Sequence, residues 1–61
     1  MLRIYRYHDG EFLGTSKASY ARYQRLAQQP EGLIAAKELL SPDELTRLGI
    51  EPETTIYAHE G

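Results

Sequence analysis

The sequence predicts a small α+β domain in which a mainly antiparallel sheet packs against helices. Three observations predict this fold class. β-forming residues flank an Asp9-Gly10 pair near the start of the chain, a helical stretch free of internal proline and glycine follows, and a second run of β-formers lies near the end. Because a chain of 61 residues can build only one small core, we expect a single domain over residues 1–61.

The first predicted element is a β-hairpin. Leu2 to His8 is rich in β-formers, Asp9-Gly10 favours a two-residue type I′ turn, and Glu11 to Thr15 is the returning strand. Such a turn fixes the register of the two strands. The predicted pairs are His8 with Glu11, Tyr7 with Phe12, Arg6 with Leu13, and Tyr5 with Gly14.

In this register neither face of the hairpin is an ordinary polar face. One face carries the aromatic residues together with a cation: Tyr5, Tyr7, Phe12 and Arg3. The other carries the aliphatic residues with three polar ones: Leu2, Ile4, Leu13, Arg6, His8 and Glu11. A tyrosine hydroxyl tolerates water better than a leucine side chain does, so we expect the aliphatic face to lie inside. The aromatic face is then left for a partner or for a second subunit.

The hairpin is followed by a predicted helix over residues 16–29. Its expected buried side carries Tyr20, Tyr23, Leu26 and Ala27, while Lys17, Ala21, Arg22, Arg25 and Gln29 spread over the other side. Thr15 or Ser16 is the expected N-cap, and Ser19 is expected inside the helix. Gln28-Gln29-Pro30 with Gly32 is expected to end it.

A second, shorter helix is predicted over residues 42–48. Ser41 is its expected N-cap, Pro42 occupies the first helical position, and Glu44 completes a Ser-x-x-Glu capping box. Leu40 and Leu45 occupy the positions of a hydrophobic staple. Gly49 is expected to end the helix in the left-handed conformation.

Two further segments complete the predicted fold. Leu33 to Leu40 is open to two interpretations, because its apolar start is typical of a buried strand whereas Ala35 to Glu38 has high helix propensity. Of the two, we predict a short strand over residues 33–36. A turn over Ile50 to Glu53 is expected next. Thr54 to His59 is then the final strand, since threonine, isoleucine and tyrosine all favour strands.

Composition restricts the class of protein. The chain has no cysteine, which excludes disulfides and thiolate metal sites and gives no indication of an oxidising compartment. No apolar run is long enough for a membrane helix, and residues 1–10 do not have the pattern of a signal peptide. We therefore expect a cytoplasmic protein without a membrane partner.

The net charge of −2 conceals an asymmetry along the chain. Residues 1–30 contain five basic and two acidic residues, whereas residues 31–61 contain two basic and seven acidic ones. Four of the five tyrosines lie in the basic half. This polarity suits a binding surface, although the charges partly cancel if the two halves pack together.

The sequence offers little for catalysis or metal binding. His8-Asp9 and His59-Glu60 are the only histidine–carboxylate pairs, and they could share a metal only if the first and last strands were adjacent and parallel. Ser16 and Ser41 are already explained as helix caps. We therefore expect no enzymatic activity, no cofactor, no metal site and no small-molecule substrate.

Binding is the function that the sequence favours. The candidate partner-binding residues are the aromatic and arginine side chains Arg3, Tyr5, Tyr7, Phe12, Arg22 and Arg25. Tyrosine and arginine are enriched at protein interfaces, so we expect a protein partner, a homodimer or both, with the chain acting as a stoichiometric regulator or inhibitor. Small proteins of this kind are typical of mobile elements and phages, which is an analogy only. The alternative is nucleic-acid binding through the aromatic and arginine sheet surface, which the acidic second half disfavours.

Overall fold

The computed structural model describes residues 1–27 and 32–61 and confirms a small α+β fold. The elements, in chain order, are β1 (Leu2–Arg6), β2 (Phe12–Ser16), α1 (Tyr20–Leu26), β3 (Ile34–Ala35), α2 (Ala36–Leu39), α3 (Pro42–Leu48) and β4 (Thr55–Glu60). The strands form one four-stranded sheet in the order β2-β1-β4-β3, and all three pairings are antiparallel. In the part of the chain that the structure describes, no helix has the length and apolar character needed to cross a bilayer.

The helices cover one face of the sheet, and the core lies between them. Leu2 and Ile4 on β1 and Ile56 and Ala58 on β4 point into this core. Ile34 on β3 joins them, and the core is completed from the other side by Tyr23, Ala36, Leu39, Leu40, Leu45 and Ile50. The prediction that the aliphatic face of the hairpin lies inside is thus confirmed. We call this covered side the inner face of the sheet.

Helix α3 has the predicted bounds and most of the predicted capping contacts. Ser41 Oγ accepts a hydrogen bond from the backbone N–H of Glu44 at 3.2 Å, Pro42 is the first helical residue, and Gly49 closes the helix with a φ of 68°. The reciprocal arm of the predicted capping box is wrong. The Glu44 carboxylate points away from Ser41 and accepts hydrogen bonds from Ser16 Oγ at 2.9 and 3.0 Å and from the Lys17 N–H at 3.0 Å.

The hairpin forms, but its predicted turn and register are wrong. A type I′ turn needs positive φ at both Asp9 and Gly10, and among the described residues only glycines have positive φ. The connection instead spans Tyr7 to Glu11, with the Gly10 N–H donating to the Arg6 carbonyl at 2.7 Å. Tyr5 therefore pairs with Phe12. Because this differs from the predicted pairing by two residues, both aromatic side chains keep the face that was predicted for them.

A bulge in β2 separates this pair from the rest of the hairpin. Ile4 pairs with Gly14, which leaves Leu13 as the extra residue on β2. Gly14 has a φ of 139°, and a Cβ placed on it would clash with the Leu48 side chain at Cδ2. The bulge therefore brings the β2 backbone into close contact with α3.

The start of α1 is also corrected by the structure. Neither Thr15 nor Ser16 caps this helix, because both belong to β2, and Ser19 is the N-cap, its Oγ accepting from the Arg22 N–H at 2.9 Å. Tyr23 is buried as predicted. Leu26, predicted on the same buried side, is 38% exposed. The predicted helix end at Gln28-Gln29-Pro30 lies outside the described residues.

The two interpretations of residues 33–40 each hold for part of the segment. Ile34 and Ala35 pair with Ile56 and Thr55 as the short edge strand β3, and α2 begins at the next residue. The final strand starts one residue later than predicted, at Thr55. Strand β4 therefore lies between β1 and β3, so the two strands of the basic half lie side by side and meet the two strands of the acidic half at the β1–β4 pair.

Candidate binding surface

The face of the sheet opposite the core is not covered by any described element. Its outward positions follow from the strand registers: Arg3, Tyr5, Phe12, Thr15, Ala35, Thr55, Tyr57 and His59. We call these positions the outer face. Phe12 is 50% exposed, and Tyr5 and Tyr57 are half-buried against their neighbours. Exposed apolar area of this kind on a small protein is typical of an interaction surface.

The aromatic rings of the outer face pack against one another. Tyr5 and Tyr57 are direct cross-strand partners, and their rings stack with centroids 5.3 Å apart and an interplanar angle of 12°. On its other side Tyr5 contacts Phe12, with centroids 5.5 Å apart and an angle of 58°. Both sides of the Tyr5 ring are thus occupied by neighbouring rings. Of these three rings, Phe12 on the edge strand β2 keeps the largest exposure.

One end of the outer face carries an arginine next to a histidine, and we call it the cationic end because of the arginine. Arg3 on β1 and His59 on β4 are direct cross-strand partners, and both are exposed. The His59 ring stands nearly perpendicular to both tyrosines, at 72° to Tyr5 and 83° to Tyr57. No outward strand position in the described part of the sheet is occupied by a carboxylate.

The two acidic residues of the hairpin turn are held by Arg6, which lies opposite the buried Ile56. The Arg6 guanidinium donates to Asp9 at 2.9 and 3.1 Å and to Glu11 at 3.0 Å. The hydrogen bond from Arg6, followed by that from the Glu11 N–H, lowers the pKa of the Asp9 carboxyl to about 2. These acidic groups therefore stabilise the turn and are not directed at the outer face.

The predicted site residues separate into two groups. Arg3, Tyr5 and Phe12 lie together on the outer face, and Tyr7 lies just beyond β1, 56% exposed, with its N–H donating to the Thr55 carbonyl. Arg22 and Arg25 do not join them. Both belong to α1, which packs on the inner face.

Arg22 also has a contact that the sequence did not indicate. Its guanidinium donates to the Leu39 carbonyl at 3.1 Å and to the Glu38 carbonyl at 3.3 Å, at the C-terminal end of α2. These are carbonyls that a helix leaves without intrahelical partners. Arg22 is therefore a structural cap for α2 and not part of the aromatic surface.

Sequence reasoning missed Tyr57 and His59. Their positions alternate with the buried Ile56 and Ala58, and this period of two marks them as outward residues of β4. What could not be read from the sequence is that β4 lies next to β1, which places Tyr57 against Tyr5. A long-range pairing thus completes the aromatic surface.

The antiparallel pairing of β1 with β4 contradicts the hypothesis that His8 and His59 share a metal site. That hypothesis required β1 and β4 to be parallel, whereas they are antiparallel, so His59 lies opposite Arg3 at the start of β1 and His8 lies beyond its other end. Within residues 1–27 and 32–61 no group of three or more histidine, cysteine, aspartate or glutamate residues is placed to hold a metal ion.

At one edge of the sheet, the backbone of β2 is partly blocked by α3. Arg47 donates to the Thr15 carbonyl at 3.1 Å, and the Glu44 carboxylate accepts from the N–H of Lys17, just after β2. The opposite edge strand, β3, has only two residues. Both edges therefore offer little backbone to an added strand.

An open cleft of about 500 Å³ lies near the start of α1. Lys17 and Glu60 stand on its rim with opposite charges, and Tyr20 contributes to its wall. This arrangement gives the cleft no preference for either sign of charge. The outer face, with its concentration of aromatic rings, is the better candidate.

Comparisons of the chain do not identify it. Protein-family models, curated proteins and solved structures gave no match. The interpretation of the outer face therefore depends on its own geometry and chemistry.

Proposed function

We propose that this chain is a small, non-enzymatic, cytoplasmic protein-binding module that acts as a stoichiometric regulator or inhibitor of a partner protein. The observation that supports this proposal is the outer face, an uncovered sheet surface on which aromatic rings from three strands form one cluster. Tyrosine and arginine contribute disproportionately to the binding energy of protein interfaces. The cysteine-free composition agrees with a reducing compartment.

The ring geometry favours a protein over a nucleic acid. Base stacking needs an aromatic ring whose flat side is open, but Tyr5 has Tyr57 on one side and Phe12 on the other. A cluster of aromatic rings that already pack against one another suits a protein interface, because it supplies contact area with little loss of side-chain entropy.

The distribution of charged residues also favours a protein partner over a nucleic acid. Single-stranded nucleic acids are bound along a continuous track of cations, whereas the outer face has Arg3 alone among arginines and lysines. Arg22, the second cation that could have contributed, is bonded to α2 carbonyls. Nucleic-acid binding remains the alternative proposal, since no carboxylate stands at the outward positions to repel phosphate.

The proposal is tested by capture with matched surface variants. The protein is biotinylated at Thr46→Cys, an exposed position on α3, so that the outer face stays accessible. Lysate of the source cell is divided into a nuclease-treated and an untreated half, and each half is passed over wild type, Phe12→Ser, Tyr57→Ser and Leu26→Ser. Leu26 is the control, because it is an exposed apolar residue of α1 on the other side of the sheet.

We expect a protein that binds wild type and Leu26→Ser but is lost from Phe12→Ser and Tyr57→Ser. Titration of that purified protein by calorimetry should saturate at a fixed ratio. If retention is the same on wild type and all three variants, the outer face is not the binding surface. If retained material disappears with nuclease and binding falls steeply with salt, the nucleic-acid alternative replaces the proposal.

A further inference from the structure

We propose that the partner presents a carboxylate next to apolar side chains, so that an acidic peptide segment lies across the outer face with its carboxylate at Arg3 and His59. This inference rests on the proposed function and specifies the chemistry of the partner. Its basis is the charge pattern of the outer face, in which the aromatic cluster adjoins one cationic end and no outward strand position is acidic.

The charge of Arg3 is not neutralised within the described structure. Arg6, Lys37 and Arg47 each have a carboxylate within ion-pairing distance. Across residues 1–27 and 32–61, no such carboxylate accompanies Arg3, which is exposed on the outer face. Arg3 and Tyr5 are neighbouring outward positions of β1, so a carboxylate bound at Arg3 lies next to the aromatic cluster and its peptide can contact both.

A second copy of the chain fits this surface less well. Face-to-face packing about a two-fold axis would place one outer face against another. Each copy would present Arg3 and His59 but no carboxylate from the outward positions of its strands. Face-to-face packing of two copies therefore brings no outward carboxylate of either sheet to Arg3.

The edges of the sheet determine how that sequence can approach. Arg47 occupies the Thr15 carbonyl at the β2 edge, and β3 offers only two residues at the other edge. A partner strand therefore gains few backbone hydrogen bonds by extending the sheet. Contact with the outer face depends instead on side chains, which makes the sequence of the partner the main determinant of affinity.

The test is a selection from a random peptide library displayed on phage. The baits are wild type, Arg3→Glu and Arg3→Gln, with Arg25→Glu as the control, since Arg25 is an exposed arginine of α1 on the inner-face side. Each bait is attached through Thr46→Cys and is checked for folding by circular dichroism. A single-stranded oligonucleotide pool serves as a parallel probe.

We expect wild type and Arg25→Glu to select peptides enriched in aspartate or glutamate next to aromatic or aliphatic residues. A selected peptide should bind Arg3→Gln and Arg3→Glu about tenfold or more weakly, and exchange of its carboxylate residue for lysine should restore binding to Arg3→Glu. Peptides that need Phe12 but have no acidic enrichment would overturn this inference and leave the proposed function intact.

Three other outcomes would contradict the proposed function, this inference, or both. Binders that are insensitive to Phe12→Ser, or a selection that yields no binder, would contradict the proposed function and this inference with it. Tighter binding of the oligonucleotide pool than of any peptide, with a loss in Arg3→Gln, would show that the cationic end recognises phosphate.

Discussion

Removal of the Ser16 hydroxyl should destabilise the fold well beyond the usual effect of a serine substitution. Ser16 is fully buried, and its Oγ donates to the Glu44 carboxylate while accepting from the Ala18 N–H at 3.0 Å. Ser16→Ala leaves that N–H and part of the carboxylate without a partner. Groups left unsatisfied in this way cost about 1–3 kcal/mol, and hydrogen bonds to charged groups lie toward the upper end, so we expect about 2 kcal/mol.

The expected loss is large for a domain of this size. At 0.05–0.15 kcal/mol per residue, a chain of 61 residues has a free energy of unfolding of roughly 3–9 kcal/mol. A decrease of about 2 kcal/mol should lower the melting temperature by roughly 8–16 °C. Urea unfolding followed by far-ultraviolet circular dichroism measures the free energy directly, with Ser41→Ala as a control for loss of a simple helix cap.

A double-mutant cycle with Glu44→Ala tests the reasoning itself. Because both side chains belong to one network, the two substitutions together should cost less than the sum of the single effects, by about 1 kcal/mol or more. If Ser16→Ala changes the free energy of unfolding by less than about 0.5 kcal/mol, or the effects add, the network does not stabilise the fold as described.

Three further predictions follow from particular contacts. The carboxyl of Asp9 should titrate by NMR near pH 2 and not near 3.8, and Arg6→Gln should move this midpoint upward. Because the pKa of Asp9 is lowered in the folded state, the contribution of its carboxylate to folding stability is fully present above pH 3.8 and is lost as the pH falls through about 2. Gly14→Ala should lower the free energy of unfolding by roughly 1–3 kcal/mol, because it combines an unfavourable φ with a close contact to α3. Arg22→Ala should cost about 1 kcal/mol through loss of the α2 cap, whereas Arg25→Ala should stay within about 0.5 kcal/mol of wild type in the same urea titration.

Each of these predictions has a contradicting result. A normal titration of Asp9 would mean that the Arg6 contact does not persist in solution. Wild-type stability of Gly14→Ala would show that the bulge relaxes without cost. Equal effects of the two arginine substitutions would contradict the separation of a structural arginine from a surface one.

The accuracy of the sequence-based predictions depended on how local the determining interactions are. Helix α3 was predicted with its bounds because Ser41, Pro42 and Gly49 act within a few residues of the helix. The start of α1 was misplaced because Ser16, which looks like a local cap, is bonded to Glu44 across the fold. The turn signal at Asp9-Gly10 correctly predicted a hairpin, but its register also reflects a bulge at which β2 contacts α3.

For the candidate surface too, local patterns could be predicted from the sequence and long-range contacts could not. Tyr5, Phe12 and Arg3 could be placed on one face from strand alternation within the hairpin. Tyr57 and His59 joined them only through the pairing of β4 with β1, which no local pattern specifies. Arg22 lies apart from this surface because its guanidinium contacts α2, a long-range contact that sequence alone did not reveal, and its role in partner binding stays a prediction.

The pairing of β1 with β4 has a practical consequence for anyone who handles the protein. Met1 and Gly61 are held side by side, with the Gly61 N–H donating to the Met1 carbonyl at 3.0 Å, and Gly61 lies against the side-chain methylenes of Arg3. Any sequence attached at either residue, whether a purification tag or a fused domain, leaves the molecule beside the cationic end of the outer face. A fusion at these positions can therefore mask the surface it is meant to report on, whereas an attachment on α3 leaves that surface open.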